Sequence, residues 1–186
     1  MRRAARLLVA QTALLISTSA IAAPPWRTCL IVGVSDGDTI TARCGAPGGF
    51  EQVKVRLAAV DAPERRQPFG ARSKQALSDL TFGREALLEC GKVDRYRRSV
   101  CRVVVPVDGV QSRRAQPVDV GLAMVSQGMA WWYRAYSKDQ PTDEQARYAM
   151  GEQRARAAGA GLWADPNPVP PWDWRAAARG QIPTQQ

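Results

Sequence analysis

Residues 29–44 read CLIVGVSDGDTITARC, and after GAPGG at 45–49 the chain continues as EQVKVRLAAV at 51–60. Val, Ile and Thr fill two short runs, 29–35 and 39–44, on either side of an Asp-Gly turn signal, which is the signature of a β-hairpin. In the third run Val53, Val55 and Leu57 alternate with Lys54 and Arg56. Successive strand residues face opposite sides, so one face is buried, the other carries positive charge, and Arg56 points away from the apolar side. The three runs form a meander.

Working outward from this meander, the period changes. Residues 68–82 place Ala76, Leu77 and Leu80 on one side of a helix closed by Gly83. Strands resume at 85–93 and 100–107, a polar loop follows at 111–117, and 118–127 is a helix ended by Gly128. A longer helix starts at Pro141 or Thr142 and runs to Ala158, with Asp143 and Glu144 in its first turn and Gly159 as its stop. Three strands, a helix, two strands and two helices imply an α+β fold: a five-stranded, partly open OB-fold-type β-barrel with about three α-helices. The tail, 164–186, contains four prolines before Trp172 and then Asp173-Trp174-Arg175; it is expected to be extended, pinned by its tryptophans and frayed at the end.

The other end of the chain is a different kind of segment. Arg2, Arg3 and Arg6 precede a mostly apolar stretch, and Ala20-Ile21-Ala22 fits a small-residue cleavage site. Residues 1–22 therefore suit a removable secretory signal, with a short lead-in at 23–27 before the domain; the alternative is a retained anchor. Removing 1–22 takes three arginines and no acid, lowering the formal charge from +9 to +6. A basic surface suits a polyanion such as nucleic acid. Export, to the periplasm or the medium, would make the four cysteines disulfide formers. Cys29 and Cys44 are equidistant from Asp36-Gly37, and Cys90 and Cys101 from a point between Arg95 and Tyr96, so each pair should meet across a hairpin. The chain has no histidine. That removes His-based triads and His-ligated zinc, and leaves oxygen ligands that favour Ca²⁺ or Mg²⁺.

Three motifs carry a resemblance. Asp36-Gly37-Asp38-Thr39, then Val55-Arg56-Leu57 running into Val60-Asp61-Ala62-Pro63-Glu64, then Asp94-Arg95-Tyr96-Arg97-Arg98 resemble, in order, the active-site motifs of the staphylococcal nuclease (thermonuclease) family. The likeness covers roughly residues 28–163, through Val125-Ser126-Gln127-Gly128 to Gly161-Leu162-Trp163. It implies a metal-dependent endonuclease or phosphodiesterase of low sequence specificity that acts on DNA and/or RNA and leaves 3′-phosphate ends. It also implies a Ca²⁺ held by Asp38, Asp61 and the backbone carbonyl of Ala62, with Asp36 close by through water. Arg56, Glu64 and Arg98 become the catalytic set, two arginines on the scissile phosphate and a general base, while Arg95, Tyr96 and Tyr136 contact the terminal phosphate or stack on a base.

Each residue also has a plainer reading. Asp36 and Asp38 are good turn formers, Glu64 sits beside Arg65 and Arg66 as a solvated carboxylate would, Arg56 and Arg98 occur in an arginine-rich chain, and tyrosines often pack. Trp131, Trp132, Trp163, Trp172 and Trp174 are read as packing anchors. The rival for the whole chain is a non-catalytic nucleic-acid-binding module on the same OB-type scaffold. Apart from a nucleic-acid substrate the expectation is a monomer with no membrane contact once the signal is removed. Four features depart from the family's pattern: the short 65–70 segment after Glu64, Arg97 where glycine is common, Gly121 where asparagine is common, and the 111–117 loop.

Overall fold

The computed structural model describes residues 26–106 and 116–180; the expected signal segment, the start of the lead-in and most of the 111–117 loop lie outside them. In chain order the elements are β1 (Trp26–Val34), β2 (Thr39–Cys44), β3 (Glu51–Leu57), β4 (Val60–Asp61), α1 (Gly70–Thr81), β5 (Glu85–Val93), β6 (Ser99–Val105), β7 (Val118–Asp119), α2 (Val120–Ser126), β8 (Trp131–Trp132), α3 (Thr142–Ala157) and α4 (Pro171–Ala178). Short 3-10 helices occupy Arg134–Asp139, kinked at Tyr136, and Gly161–Ala164. The strand order β3-β2-β1-β5-β6 closes on itself because β3 also pairs in parallel with β6, Val55 opposite Ser99 and Leu57 opposite Cys101. The barrel is thus closed over that stretch rather than partly open. Ile31, Ile40, Val55, Leu57, Leu88, Val103 and Val105 are buried, together with Leu77 of α1 and Val120, Met124 and Val125 of α2, as one core.

Both expected disulfides are present, Cys29–Cys44 and Cys90–Cys101, with Cα atoms 4.3 and 4.0 Å apart. In each hairpin the cysteines are directly opposite one another and the ladder then skips one residue, Val32 in β1 and Gly91 in β5, before the turn. Such bulges sharpen the local twist.

Three expectations change. The lead-in is shorter, because Trp26 and Arg27 already pair with β5. The third strand does not run to 60: it ends at Leu57, and the chain turns through Ala59 at φ 63°, a left-handed conformation uncommon without glycine. That turn lets Val60 and Asp61 form a separate ribbon with Trp132 and Trp131. The tail is not simply extended. Pro171 begins a helix, Asp173 stands in its first turn and Arg175 in its last, a sequence of start and stop signals that suits the helix dipole.

Candidate active site

The first hairpin delivers its carboxylates because its tip is pressed flat against the body. A Cβ on Gly37 would lie 1.9 Å from Ser73 Oγ of α1 and 2.8 Å from the Ala62 Cβ, so only glycine allows the approach. The Asp36 carboxylate accepts the backbone N–H of Asp38 at 3.2 Å, which orders the turn. Asp38 then faces Arg56 on the neighbouring β3. Arg56 Nη1 donates to Asp38 Oδ2 at 2.9 Å and Nη2 to Asp61 Oδ1 at 3.1 Å. One guanidinium therefore ties the first hairpin to β4, and the alternation that pointed Arg56 away from the apolar face is what places it there. The Ala62 backbone N–H also points at Asp38 Oδ2, at 3.4 Å.

Glu64 arrives on the short segment after β4. Its backbone N–H is held by Gln67 Oε1 at 3.1 Å, and Gln67 Nε2 in turn donates to the Val169 carbonyl at 2.6 Å. Gly70 closes the segment against the Glu64 carbonyl, where a Cβ would come within 2.1 Å. The Glu64 carboxylate accepts from Arg175 Nη1 at 2.7 Å. The same guanidinium forks onto Asp61, Nη2 to Oδ2 at 2.6 Å and Nη1 to Oδ1 at 3.2 Å. Arg175 is the residue that sequence reasoning misses, because no motif or spacing in the tail points to it.

The second hairpin brings Arg98. Its Nε donates to Asp94 Oδ2 at 2.8 Å and its Nη1 to Thr39 Oγ1 at 3.0 Å, while Thr39 Oγ1 donates to Asp38 Oδ1 at 2.8 Å. Arg98 thus joins the carboxylates through Thr39. Arg97 keeps the turn at φ 63°, with its N–H on the Asp94 carbonyl at 2.9 Å; the turn survives without glycine and the backbone bears the strain. Arg95 and Arg98 lie over the exposed Tyr96 ring, 4.8 and 5.4 Å from its centre. Tyr136 is about half exposed, with Lys92 Nζ 4.4 Å above its ring. Tyr96 thus meets the site through Arg98, and Tyr136 packs on Tyr133 with ring centres 5.2 Å apart. Tyr133, also unforeseen, stacks on Trp172 at 5.4 Å, and burial together with the charge of Asp61 raises its pKa. The tryptophans pack as expected: Trp131 meets Trp163 and Trp172 edge-on. Gly121 has a local reason, since a Cβ there would lie 2.5 Å from the Tyr148 hydroxyl, which donates to Asp119.

Charge is concentrated here. Burial raises the pKa of Asp61, and the repulsion of Asp38 adds to it, against hydrogen bonding from Arg175 and the charge of Arg56. Burial and the neighbouring Asp38 likewise raise Asp36. Asp38, Asp61 and Glu64 are thus three carboxylates faced directly by two guanidiniums, Arg56 and Arg175, because Arg98 is matched by Asp94, and Asp36 adds a fourth carboxylate beside them, bound to the Asp38 backbone. The all-oxygen donor set and its negative excess fit a hard divalent cation. Among the described residues no three acidic, cysteine or histidine side chains form a metal-binding group unaided, so backbone carbonyl and water would have to complete the shell. Beside Asp36 opens a cleft whose walls carry Arg65 and Lys74. Among the described residues no helix is long and apolar enough to cross a membrane.

The profile of a family described as staphylococcal nuclease homologue matches residues 54–165. The chain is 42% identical to an uncharacterized endonuclease of Haemophilus influenzae, over 80% of this chain and 73% of that protein. It is 40% identical to Protein ParB of Escherichia coli, over 94% and 93%, and 39% identical to a micrococcal nuclease of Shigella flexneri, over 95% and 94%.

Proposed function

The chain belongs to the staphylococcal nuclease family, and we propose that it is an exported, cation-dependent nuclease that hydrolyses phosphodiester bonds in DNA and/or RNA with little sequence specificity. The observation that carries this reading is the convergence of Asp38, Asp61 and Arg56 within hydrogen-bond distance at the end of the barrel, with Glu64 one guanidinium away. Asp38 and Asp61, helped by the Ala62 carbonyl and by Asp36 through water, would hold Ca²⁺ or Mg²⁺. Such an ion, when bound, polarises a phosphoryl oxygen.

The protein's own groups account for the rest of the reaction. Arg56 and Arg98 offer planar pairs of donors that match phosphate oxygens and stay charged, so they bind the ground state and stabilise charge gathering at phosphorus. Glu64 takes a proton from a water in line with the departing 5′-oxygen. The water oxygen bonds to phosphorus, the P–O5′ bond breaks, the leaving O5′ takes up a proton from solvent to become a hydroxyl, and the phosphate stays on the 3′ side. Arg95, Tyr96 and Tyr136 give a cationic and aromatic margin on which unpaired bases stack. The two disulfides suit a periplasmic or secreted protein.

The test is degradation of single-stranded DNA and of RNA with Ca²⁺, with Mg²⁺ and with chelator, by wild type and Glu64→Gln. The amide keeps the size of the side chain and loses the proton acceptor, so turnover should fall by about 10² or more. Strand affinity should hold or rise slightly, since it depends on Arg56, Arg98 and the basic surface. A wild type that binds strands and never cuts them would make the chain a binding module. Full activity of Glu64→Gln would remove the base assignment alone.

A further inference from the structure

We propose that the C-terminal helix is a cation-operated latch: Arg175 holds Asp61 and Glu64 while the cation is absent, and a divalent cation displaces it. The inference rests on the cation reading of Asp38 and Asp61. Asp61 is 1% exposed, and both of its carboxylate oxygens accept guanidinium donors, Oδ1 from Arg56 and Arg175, Oδ2 from Arg175. A dication would need those same lone pairs and repel the guanidinium, so Arg175 and the cation compete for Asp61. The contact also engages Glu64, whose carboxylate cannot act freely as a base while it accepts from Arg175 at 2.7 Å.

The way α4 is mounted suits release. It has eight residues, too few for a helix that holds by itself, so its order depends on what it touches. Its contacts include Trp172 on Tyr133 and Trp131 and the Arg175 ion pairs, with buried Pro171 at its start and the Val169 carbonyl on Gln67 just before it. A small cavity remains between Trp174, Phe69 and Leu162. None of the barrel's core residues comes from α4, so the helix can shift without opening the core. Pro166, Pro168, Pro170 and Pro171 form a stiff strap that limits how far it travels.

The experiment uses the disulfide-intact protein, wild type and Arg175→Met, which retains an apolar stem and removes the charge. Ca²⁺ alone is titrated by calorimetry, and hydrogen exchange across 171–178 is followed in wild type with chelator and with saturating Ca²⁺. The latch requires Arg175→Met to bind Ca²⁺ about tenfold or more tighter, and wild type to lose protection across 171–178 when Ca²⁺ binds. Equal or weaker binding by Arg175→Met would overturn it, as would unchanged protection in Ca²⁺-saturated wild type, which needs no variant to fold. If neither protein binds Ca²⁺, the cation site itself falls and the latch with it. Binding by wild type with no gain in the variant removes the latch alone.

Discussion

The β1–β2 and β5–β6 hairpins share a plan and differ at their tips. Each is stapled by a disulfide, each skips one residue past the cysteines, and each turns on an aspartate whose side chain accepts backbone N–H groups, Asp36 from Asp38 and Asp94 from Tyr96 and Arg98. The first tip is packed on α1 and Ala62, and it presents a carboxylate. The second stands out from the body, with Val93 66% and Tyr96 64% exposed, and presents an arginine. A buried tip fixes short acidic side chains where a partner must meet them. An exposed tip suits a long cationic side chain that reaches inward while its hairpin stays in water.

Replacing the presented group should break the comparison with the largest effect. Asp38→Asn exchanges a charged ligand for an amide that is poorer for a hard ion, so cleavage should fall by about 10² or more and calorimetric Ca²⁺ affinity should drop. Arg98→Lys keeps the charge and loses the fork. One charge-assisted hydrogen bond of about 1.5–3 kcal/mol corresponds to roughly 10- to 100-fold in cleavage rate. Unchanged Ca²⁺ affinity in Asp38→Asn would remove the carboxylate tip from the cation site.

The tips should also respond with opposite signs to backbone substitution. Gly37→Ala drives a methyl into Ser73 and should cost about 1–3 kcal/mol in urea unfolding. Arg97→Gly relieves a left-handed residue at φ 63° and should gain up to about 1 kcal/mol. Losses of equal size at both would mean that the tips are not held differently.

The smallest effect is the pH dependence that a substitution at the second tip isolates. Burial pushes the Asp94 pKa up, but backbone and side-chain hydrogen bonds from Arg98, with one from Tyr96, bring it below 3.8. A carboxylate lowered on folding stabilises above its unfolded value, and the contribution is lost as pH falls through the folded value. The melting-temperature gap between wild type and Asp94→Asn should therefore be steady down to about pH 4 and close below it. A gap that widens with acid would reverse the sign and refute the assignment.

Much of the fold was legible because it is written in short-range pattern. Alternation in β3, the Asp-Gly turn and the symmetry of the cysteines about their turns led to the hairpin registers and both disulfides. The motif residues Asp38, Arg56 and Asp61 meet because β2 and β3 pair side by side and the turn at Ala59 brings β4 back towards them. Tyr96 and Tyr136 meet Arg98 and Tyr133 instead, contacts that sequence could not aim.

What the sequence by itself determined is whatever depends on neighbours along the chain: the five strands, the three main helices, the cysteine pairing and the order of acidic and basic motifs. Closure of the barrel needed the parallel meeting of β3 and β6, which no local period encodes. Arg175 is the sharper case. It contacts Asp61 and Glu64 across 114 and 111 residues, and no spacing in the tail points to them. Only the packed path of the whole chain, which sets Trp172 on Tyr133 and the Val169 carbonyl on Gln67, decides that this arginine ends between buried Asp61 and partly exposed Glu64. An uncompensated buried charge is costly and a paired one is held, so the pairing is made where the tertiary structure brings the charges together.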